Sequence, residues 1–401
     1  MTSKPTDPLT LSATFRQWFC VALFAVLLVA GCGGEDLGDY QRQSLDEIAA
    51  ERTSTTNAPS VNIAYLNEQD ELTTVSHGVE DIVTRTPATA DSLYRVGSIT
   101  KSFVAARILQ LVEDGHLALG ASLQELLPEQ AQLLSNFNPD RVQLYDLLQH
   151  TSRICSFTAE TSWSGKFTAD PTYRWGQDEL LTLVADKKAA DCNEEGQTWH
   201  YSNSNYVLLG LIIEKYDPLG RSYGQNIREE ILEPLGLTRT FVPSYDFPDE
   251  RPWIHGYHNW GYNLSPLVDI TTIDWSFTWA SGEMVSTPSD LSRWVKSLMT
   301  PGVVLAAETL ELMTQTIDTG LEGGYKYGLG VMEISMLEVI GHGAGHPGFD
   351  CTAQYVPEFD EAVAMCVNRT FGNFQKSDTA FLGSVLRSIY PQKNYPIIPG
   401  T

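Results

Sequence analysis

Strand-like alternation is confined to the two ends of this chain, and a long helical stretch separates them. A single sheet must therefore be assembled from both ends. Near the start, Ser60–Leu66 and residues 71–78 alternate around a turn at Asn67-Glu68-Gln69-Asp70. The pattern returns after residue 325, in 327–334, 337–341, 352–356 and 362–367. Between these ends, 98–114 reads as a helix with Val104, Ile108, Leu111 and Val112 on one face and Gly115 as its stop. Residues 207–216, 227–235 and Pro288–Met299 follow as further helices, and 40–52 and 378–389 read as outer ones. The expected fold class is α/β (α+β). Residues 40–105 and 300–401 form the sheet domain, 106–299 form a mainly helical domain, and the active site lies between them.

At 401 residues, 42% of them hydrophobic, the chain can bury a substantial core. Its net charge of −24 argues against nucleic acid as a partner and against electrostatic docking to anionic lipid. Lys4 and Arg16 precede an apolar run at 18–30 that is too short for a comfortable membrane span. That run ends in Val29-Ala30-Gly31-Cys32, which resembles a bacterial lipobox. The resemblance implies a lipoprotein signal peptide at 1–31, a lipid anchor on Cys32, a tether at 32–39 and export to the bacterial cell envelope, facing periplasm or exterior. An ordinary signal peptide or a signal anchor is the alternative.

Four cysteines remain beyond Cys20 and Cys32. Cys351 and Cys366 flank two β-rich runs joined around Pro357-Glu358-Phe359-Asp360, and a simple hairpin sets them opposite each other. A bridge is expected there, and Cys155–Cys192 follows by elimination, with four buried thiols as the alternative.

Ser98-Ile99-Thr100-Lys101 is the one Ser-x-x-Lys in the chain, and it opens the helix at 98–114. Residues three apart share a helix face, so the amine can reach the hydroxyl and serve as its base. Tyr201-Ser202-Asn203 is the candidate second element. Its tyrosine can shuttle a proton, and its asparagine can hold a substrate amide or the lysine. Tyr257-His258-Asn259 is a rival match, less favoured for its surroundings. The third element is the glycine-rich run from Gly341 to Phe349, in which His342 is preferred to His346 because Pro347 cannot donate to a ladder. No His-Glu-x-x-His is present, so no metal and no cofactor are expected.

Together these segments resemble the serine β-lactamase and D,D-peptidase superfamily, in the branch of class C β-lactamases and secreted D-alanyl-D-alanine carboxypeptidases. The resemblance runs over 40–388. It rests on Tyr94-Arg95-Val96-Gly97-Ser98-Ile99-Thr100-Lys101, Leu147-Leu148-Gln149-His150-Thr151-Ser152 and Tyr201-Ser202-Asn203-Ser204-Asn205-Tyr206. Glu233-Pro234-Leu235-Gly236-Leu237, Ala280-Ser281-Gly282-Glu283-Met284-Val285-Ser286-Thr287 and Tyr327-Gly328-Leu329-Gly330 extend it in order. It implies a β-lactamase/transpeptidase-like fold, with an antiparallel five-stranded sheet flanked by helices and an all-helical insert. It also implies Ser98 as acylated nucleophile, Lys101 and Tyr201 as proton carriers, Asn203 as a substrate-orienting amide and His342 as the third-motif residue. The N–H groups of Ser98 and Gly345 would form the oxyanion hole. Which of Lys101 and Tyr201 is the base stays open.

Three departures matter. Arg153 stands where that family usually has glycine, and Ala344 adds a methyl where the third motif usually ends in glycine. Gly343 and Gly345 replace hydroxyl residues, and Val331-Met332-Glu333-Ile334 offers no cation for a free substrate carboxylate. The implied function is an exported serine hydrolase of the D,D-peptidase or D-alanyl-D-alanine carboxypeptidase kind, acting on peptidoglycan-type D-peptides. An esterase or β-lactamase on the same scaffold is the alternative, and a non-turnover β-lactam or peptidoglycan sensor a third. The partners implied are D-amino-acid peptide, ester or β-lactam substrates, and the membrane through Cys32. Trp253, Trp260, Trp275 and Trp279 with Tyr257 and Tyr262 crowd one segment, either as a wall of the cleft or as core packing.

Overall fold

A computed structural model describes residues 43–246, 253–258, 266–370 and 374–398. Cys32, the expected signal and tether, Asn259, Trp260 and Tyr262 lie outside the described residues. The sheet draws its strands from both ends of the chain: β1 (Ser60–Leu66), β2 (Leu72–Gly78), β3 (Ile317–Asp318), β4 (Tyr325–Tyr327), β5 (Met332–Ile334), β6 (Val339–His346), β7 (Phe349–Val356) and β8 (Glu361–Val367). Their spatial order is β2-β1-β8-β7-β6-β5-β4-β3, antiparallel throughout.

The sheet is therefore eight-stranded, which corrects the expected five. The five long strands are those expected. The run at 327–334 is broken by Gly328 and Gly330, so it folds as two short strands and adds β3 beyond them. Gly330 has a positive φ of 80°, and a Cβ there would lie 2.3 Å from that of Ala105, so only glycine fits.

Helices α1 (Leu45–Thr56), α2 (Thr100–Glu113), α3 (Leu144–Gln149), α4 (Thr161–Ala169), α5 (Asn203–Tyr216), α6 (Tyr223–Ile227), α7 (Pro288–Met299) and α8 (Phe374–Ile389) are those that matter here. The run at 227–235 is not one helix: α6 ends at Ile227 and a π-helical turn, Arg228–Leu232, follows.

Residue size on β8 decides the layering. Val363, Met365 and Val367 point into one core with Phe381, Leu382, Val385 and Leu386 of α8 and Ile48 and Ala49 of α1. The alternate Ala362, Ala364 and Cys366 face the other core, with Trp294 of α7 and Phe103 of α2. Small residues on that face let α7 and α2 lie close to the sheet. Phe103 and Trp294 stack at 3.8 Å, and the Trp294 indole donates to Ser102 Oγ at 2.8 Å. This packing seats the start of α2, and with it Ser98, against β6.

Both disulfides form as expected. Cys351 and Cys366 are direct cross-strand partners, Cα atoms 4.2 Å apart. Cys155–Cys192 closes a loop with a sequence separation of 37. Chain entropy gives such a loop about 4 kcal/mol. Replacing Cys155 and Cys192 together with serine is expected to lower stability by roughly that amount, read as a fall in the denaturation midpoint; an unchanged midpoint contradicts it.

Candidate active site

Ser98 sits in a 3-10 turn, Gly97–Ile99, that runs directly into α2. Gly97 has φ 47°, and a Cβ there would stand 3.2 Å from those of Ala344 and His346. A side chain at 97 would push the Ser98 turn off β6, so glycine is required. The extra methyl of Ala344 is thus buried against Gly97 (1% exposed) and does not project into a substrate groove.

Lys101 lies one turn further and is fully buried. Its Nζ has three oxygen partners: Ser98 Oγ at 3.1 Å, Asn203 Oδ1 at 2.8 Å and the Ser281 carbonyl at 2.7 Å. Burial pushes its pKa well below the ordinary lysine value. A neutral amine has two protons and one lone pair. The Asn203 and Ser281 oxygens accept the two protons, which leaves the lone pair for the hydroxyl proton of Ser98.

Tyr201 places its ring 4.9 Å from Lys101 Nζ. Its hydroxyl is sealed from solvent with no hydrogen-bond partner of ordinary geometry. Burial raises its pKa, and the neighbouring Ser98 hydroxyl draws it partly back. Asn203 opens α5; its N–H donates to Ser156 Oγ at 3.0 Å and its Nδ2 to Thr158 Oγ1 at 3.1 Å. The Cys155–Cys192 bridge therefore borders the strip that holds Asn203. Arg153, in the same strip, has φ 62°, the conformation that explains why glycine suits the position.

His342 is buried (2% exposed) on β6, and its hydrogen bonds go to Tyr327 and Gly343 rather than to Ser98. Its Nδ1 donates to the Gly343 carbonyl at 2.6 Å, so Nε2 is left to accept from the Tyr327 hydroxyl at 3.1 Å. Tyr327 in turn meets Tyr201 edge-on at 6.2 Å. Burial, helped by Lys101, pushes the imidazole down to about 3. It is a neutral hydrogen-bonding group, not a cation. The His342 ring is expected to show no titration by NMR between about pH 5 and about 9, and a midpoint inside that range contradicts it.

Gly345 is exposed on β6 opposite Asp350. Strand β5 pairs with β6 only at Val339–Gly341, through partners Ile334, Glu333 and Met332. The Ser98 N–H belongs to a helix start, where donors lack intrahelical partners. His346 packs its ring 5.4 Å from Phe277, donates from Nδ1 to the Pro347 carbonyl and has no contact with Lys101 or Tyr201 in these bonds. The rival Tyr257 is buried, its hydroxyl accepting the Ile82 N–H and its own N–H donating to the Gly348 and Asn368 carbonyls.

Of the aromatic cluster, Trp279 is core, edge-on to Tyr223 at 4.8 Å. Trp275 lies over the Arg95 guanidinium, which donates to the Thr271 and Ile273 carbonyls at 2.9 and 2.8 Å.

Two contributors are absent from the site residues read from the sequence. One is the Ser281 carbonyl, a backbone atom. The other is His150, whose Nδ1 accepts the Ser202 N–H at 3.2 Å and whose carbonyl accepts the His200 N–H at 2.9 Å. Its ring lies 4.3 Å from that of Tyr201, so it shapes the loop carrying the tyrosine. The Leu147-to-Ser152 block was the signal that could have pointed to it.

A serine hydroxyl held by a desolvated lysine, with a tyrosine over the pair and a sheet edge beside it, is the set of groups that a serine hydrolase centre of the acyl-transfer kind requires. The chain belongs to the Beta-lactamase family, whose model matches residues 45–386. Protein flp of Staphylococcus aureus (strain NCTC 8325 / PS 47) is 26% identical over 270 residues, 66% of this chain and 50% of that protein. The chain thus spans about half the length of that curated relative. Among solved structures, a D-stereospecific amidohydrolase from Streptomyces sp. is 28% identical with a TM-score of 0.73, over 85% of this chain and 96% of that one. The D-amino acid amidase of Ochrobactrum anthropi SV3 complexed with L-phenylalanine amide shares the fold at 23% identity and a TM-score of 0.75, over 86% and 98%.

Proposed function

We propose that this chain is a D-stereospecific amide or peptide hydrolase of the D,D-peptidase kind, working through an acyl-enzyme on Ser98. The observation that carries the reading is the Lys101 environment, two acceptors plus the Ser98 hydroxyl. The Streptomyces amidohydrolase likeness supports the D-amide class.

Lys101, neutral, takes the Ser98 proton as Oγ attacks the carbonyl carbon. The tetrahedral oxygen rests on the Ser98 and Gly345 N–H groups, about 3 kcal/mol per donor. Tyr201, kept protonated by burial, passes its proton to the departing nitrogen and is reprotonated from Lys101. Water then attacks the ester by the reverse route. This ordering makes Lys101 the base and Tyr201 the relay.

A second reading is ester or β-lactam turnover, and one feature favours its ester half, since a penicillin brings a free carboxylate. Arg95, the guanidinium three residues before Ser98, is committed to the Thr271 and Ile273 carbonyls beneath Trp275, so it is no clamp for a free carboxylate. Amidated or internal D-peptides suit such a site better than a free terminal D-alanine.

The cell envelope is the proposed location and Cys32 the proposed lipid anchor. The deciding experiment is intact-mass spectrometry of the chain starting after Cys32, mixed in parallel with a D-amino acid amide, an acyl-D-alanyl-D-alanine peptide, a simple ester and a penicillin. Turnover of the D-amide or D-peptide through an adduct on Ser98 supports the reading. Turnover of the ester or penicillin alone replaces it with the second.

A further inference from the structure

The acceptor that Lys101 meets at Ser281 is a backbone carbonyl, so something must hold that backbone still. It lies in a turn, residues 278–283, closed by N–H bonds from Ser281 to Thr278 at 2.8 Å and from Gly282 and Glu283 to Trp279 at 2.9 Å each. Trp279 adopts φ 38°, a conformation that a bulky L-residue keeps only when its surroundings over-determine it. Its ring fills the space left by Gly210, where a Cβ would come within 2.7 Å, and rests on Tyr223.

At the end of this turn stands Glu283, a carboxyl group 1% exposed. It accepts the Tyr223 hydroxyl, the Ser244 hydroxyl at 2.6 Å and the Ser244 N–H at 3.1 Å. Tyr223 therefore grips the turn twice, by the ring of Trp279 and by the carboxylate of Glu283. We propose that Glu283 is a positioning residue, whose carboxylate locks this turn and so fixes the Ser281 carbonyl that orients Lys101 toward Ser98. The proposal rests on Ser98 and Lys101 acting as nucleophile and base.

All three partners donate, a set complete only for an ionised carboxylate. A proton on Glu283 turns one acceptor into a donor and forces one of the three bonds to break or reverse. The carboxylate faces Tyr223 of α6 and Ser244, with Asp246 nearby raising its proton affinity. Arg228, on the π turn, is paired with Asp246 and Thr240. Glu214 of α5 accepts the Tyr223 N–H at 3.1 Å. Burial outweighs the three donors and brings Glu283 up to about 7. The lock therefore closes as pH rises through neutrality.

The test is the rate of Ser98 labelling by a fluorophosphonate probe as a function of pH, in wild type, Glu283→Gln and Ser244→Ala. Wild type is expected to show an acid limb near neutrality to which Glu283 contributes. Glu283→Gln, which carries two N–H donors where the carboxylate only accepts, is expected to be at least tenfold slower above neutrality and to lose the Glu283 ionisation from that limb. Ser244→Ala removes a donor and is expected to move the limb toward higher pH. Circular dichroism and a direct 13C carboxyl titration of Glu283 accompany the rates. A Glu283 that titrates while the limb stays unmoved in both folded variants overturns its positioning role and leaves Ser98 as nucleophile. A folded wild type that the probe does not label overturns the nucleophile reading and this proposal with it.

Discussion

Ser98→Ala is expected to lower turnover by about 10^4-fold or more, leaving only the residue of catalysis that binding and the oxyanion donors supply. The physical ground is that Ser98 Oγ is the one hydroxyl within reach of Lys101 Nζ among its described partners, and a methyl group offers nothing to acylate. The fold should not suffer, because Ser98 is only half-buried at the surface of its turn. The measurement is paired: steady-state rates, and intact mass after mixing with the substrate that wild type turns over. Loss of both the rate and the adduct in a protein of unchanged melting temperature is the expected result. A variant that keeps the adduct moves the nucleophile elsewhere.

Lys101→Met is expected to be as damaging to catalysis, at about 10^3-fold or more, and to have an opposite effect on stability at low pH. Methionine keeps the length and fills the same space. It removes an amine that the core keeps desolvated, at the cost of two acceptors, Asn203 Oδ1 and the Ser281 carbonyl, left without their donor. In wild type the folded-state pKa lies well below the ordinary 10.5. Between those two values the unfolded chain binds the extra proton, so wild-type stability rises with pH across that window. The lysine burden is therefore largest below the lowered value and fades toward the ordinary one. The difference in melting temperature, Lys101→Met minus wild type, is expected to be more positive near pH 6 than near pH 9.5. A difference that does not change with pH would show that Lys101 keeps an ordinary pKa in the fold, and would remove it as a neutral base.

The parts of this molecule legible in the chain are those whose partners are near in sequence or repeat with a fixed period. Ser98 and Lys101 are one helical turn apart, so their contact follows from helix geometry. Cys351 and Cys366 face each other because the alternation on β7 and β8, joined by a short turn, leaves one register. The capping of α7 by Thr287, whose Oγ1 accepts the Asp290 N–H at 3.2 Å, is equally local. The short strands β3, β4 and β5 at one end of the sheet are two or three residues long, too few for a period to show, and they turned an expected five-stranded sheet into eight. The helical reading of 227–235 failed for a related reason: a π turn keeps the apolar spacing of a helix over so short a run.

What the chain determined by itself is the Ser98–Lys101 pair, the layering of helices against a sheet drawn from both ends, and the cross-strand bridge. Each is set by local stereochemistry or by the two-residue period of a strand. Tertiary structure alone decided that Asn203 and the Ser281 carbonyl, 102 and 180 residues from Lys101, supply its two acceptors. It also decided that His342 hydrogen-bonds the Tyr327 hydroxyl, that the Ala344 methyl is spent against Gly97, and that a carboxylate at Glu283 stands behind the Ser281 turn. Those are consequences of packing. They depend on which surfaces are desolvated when α2, α5 and the sheet close on one another, and desolvation is a property of the assembled volume that no stretch of sequence carries alone.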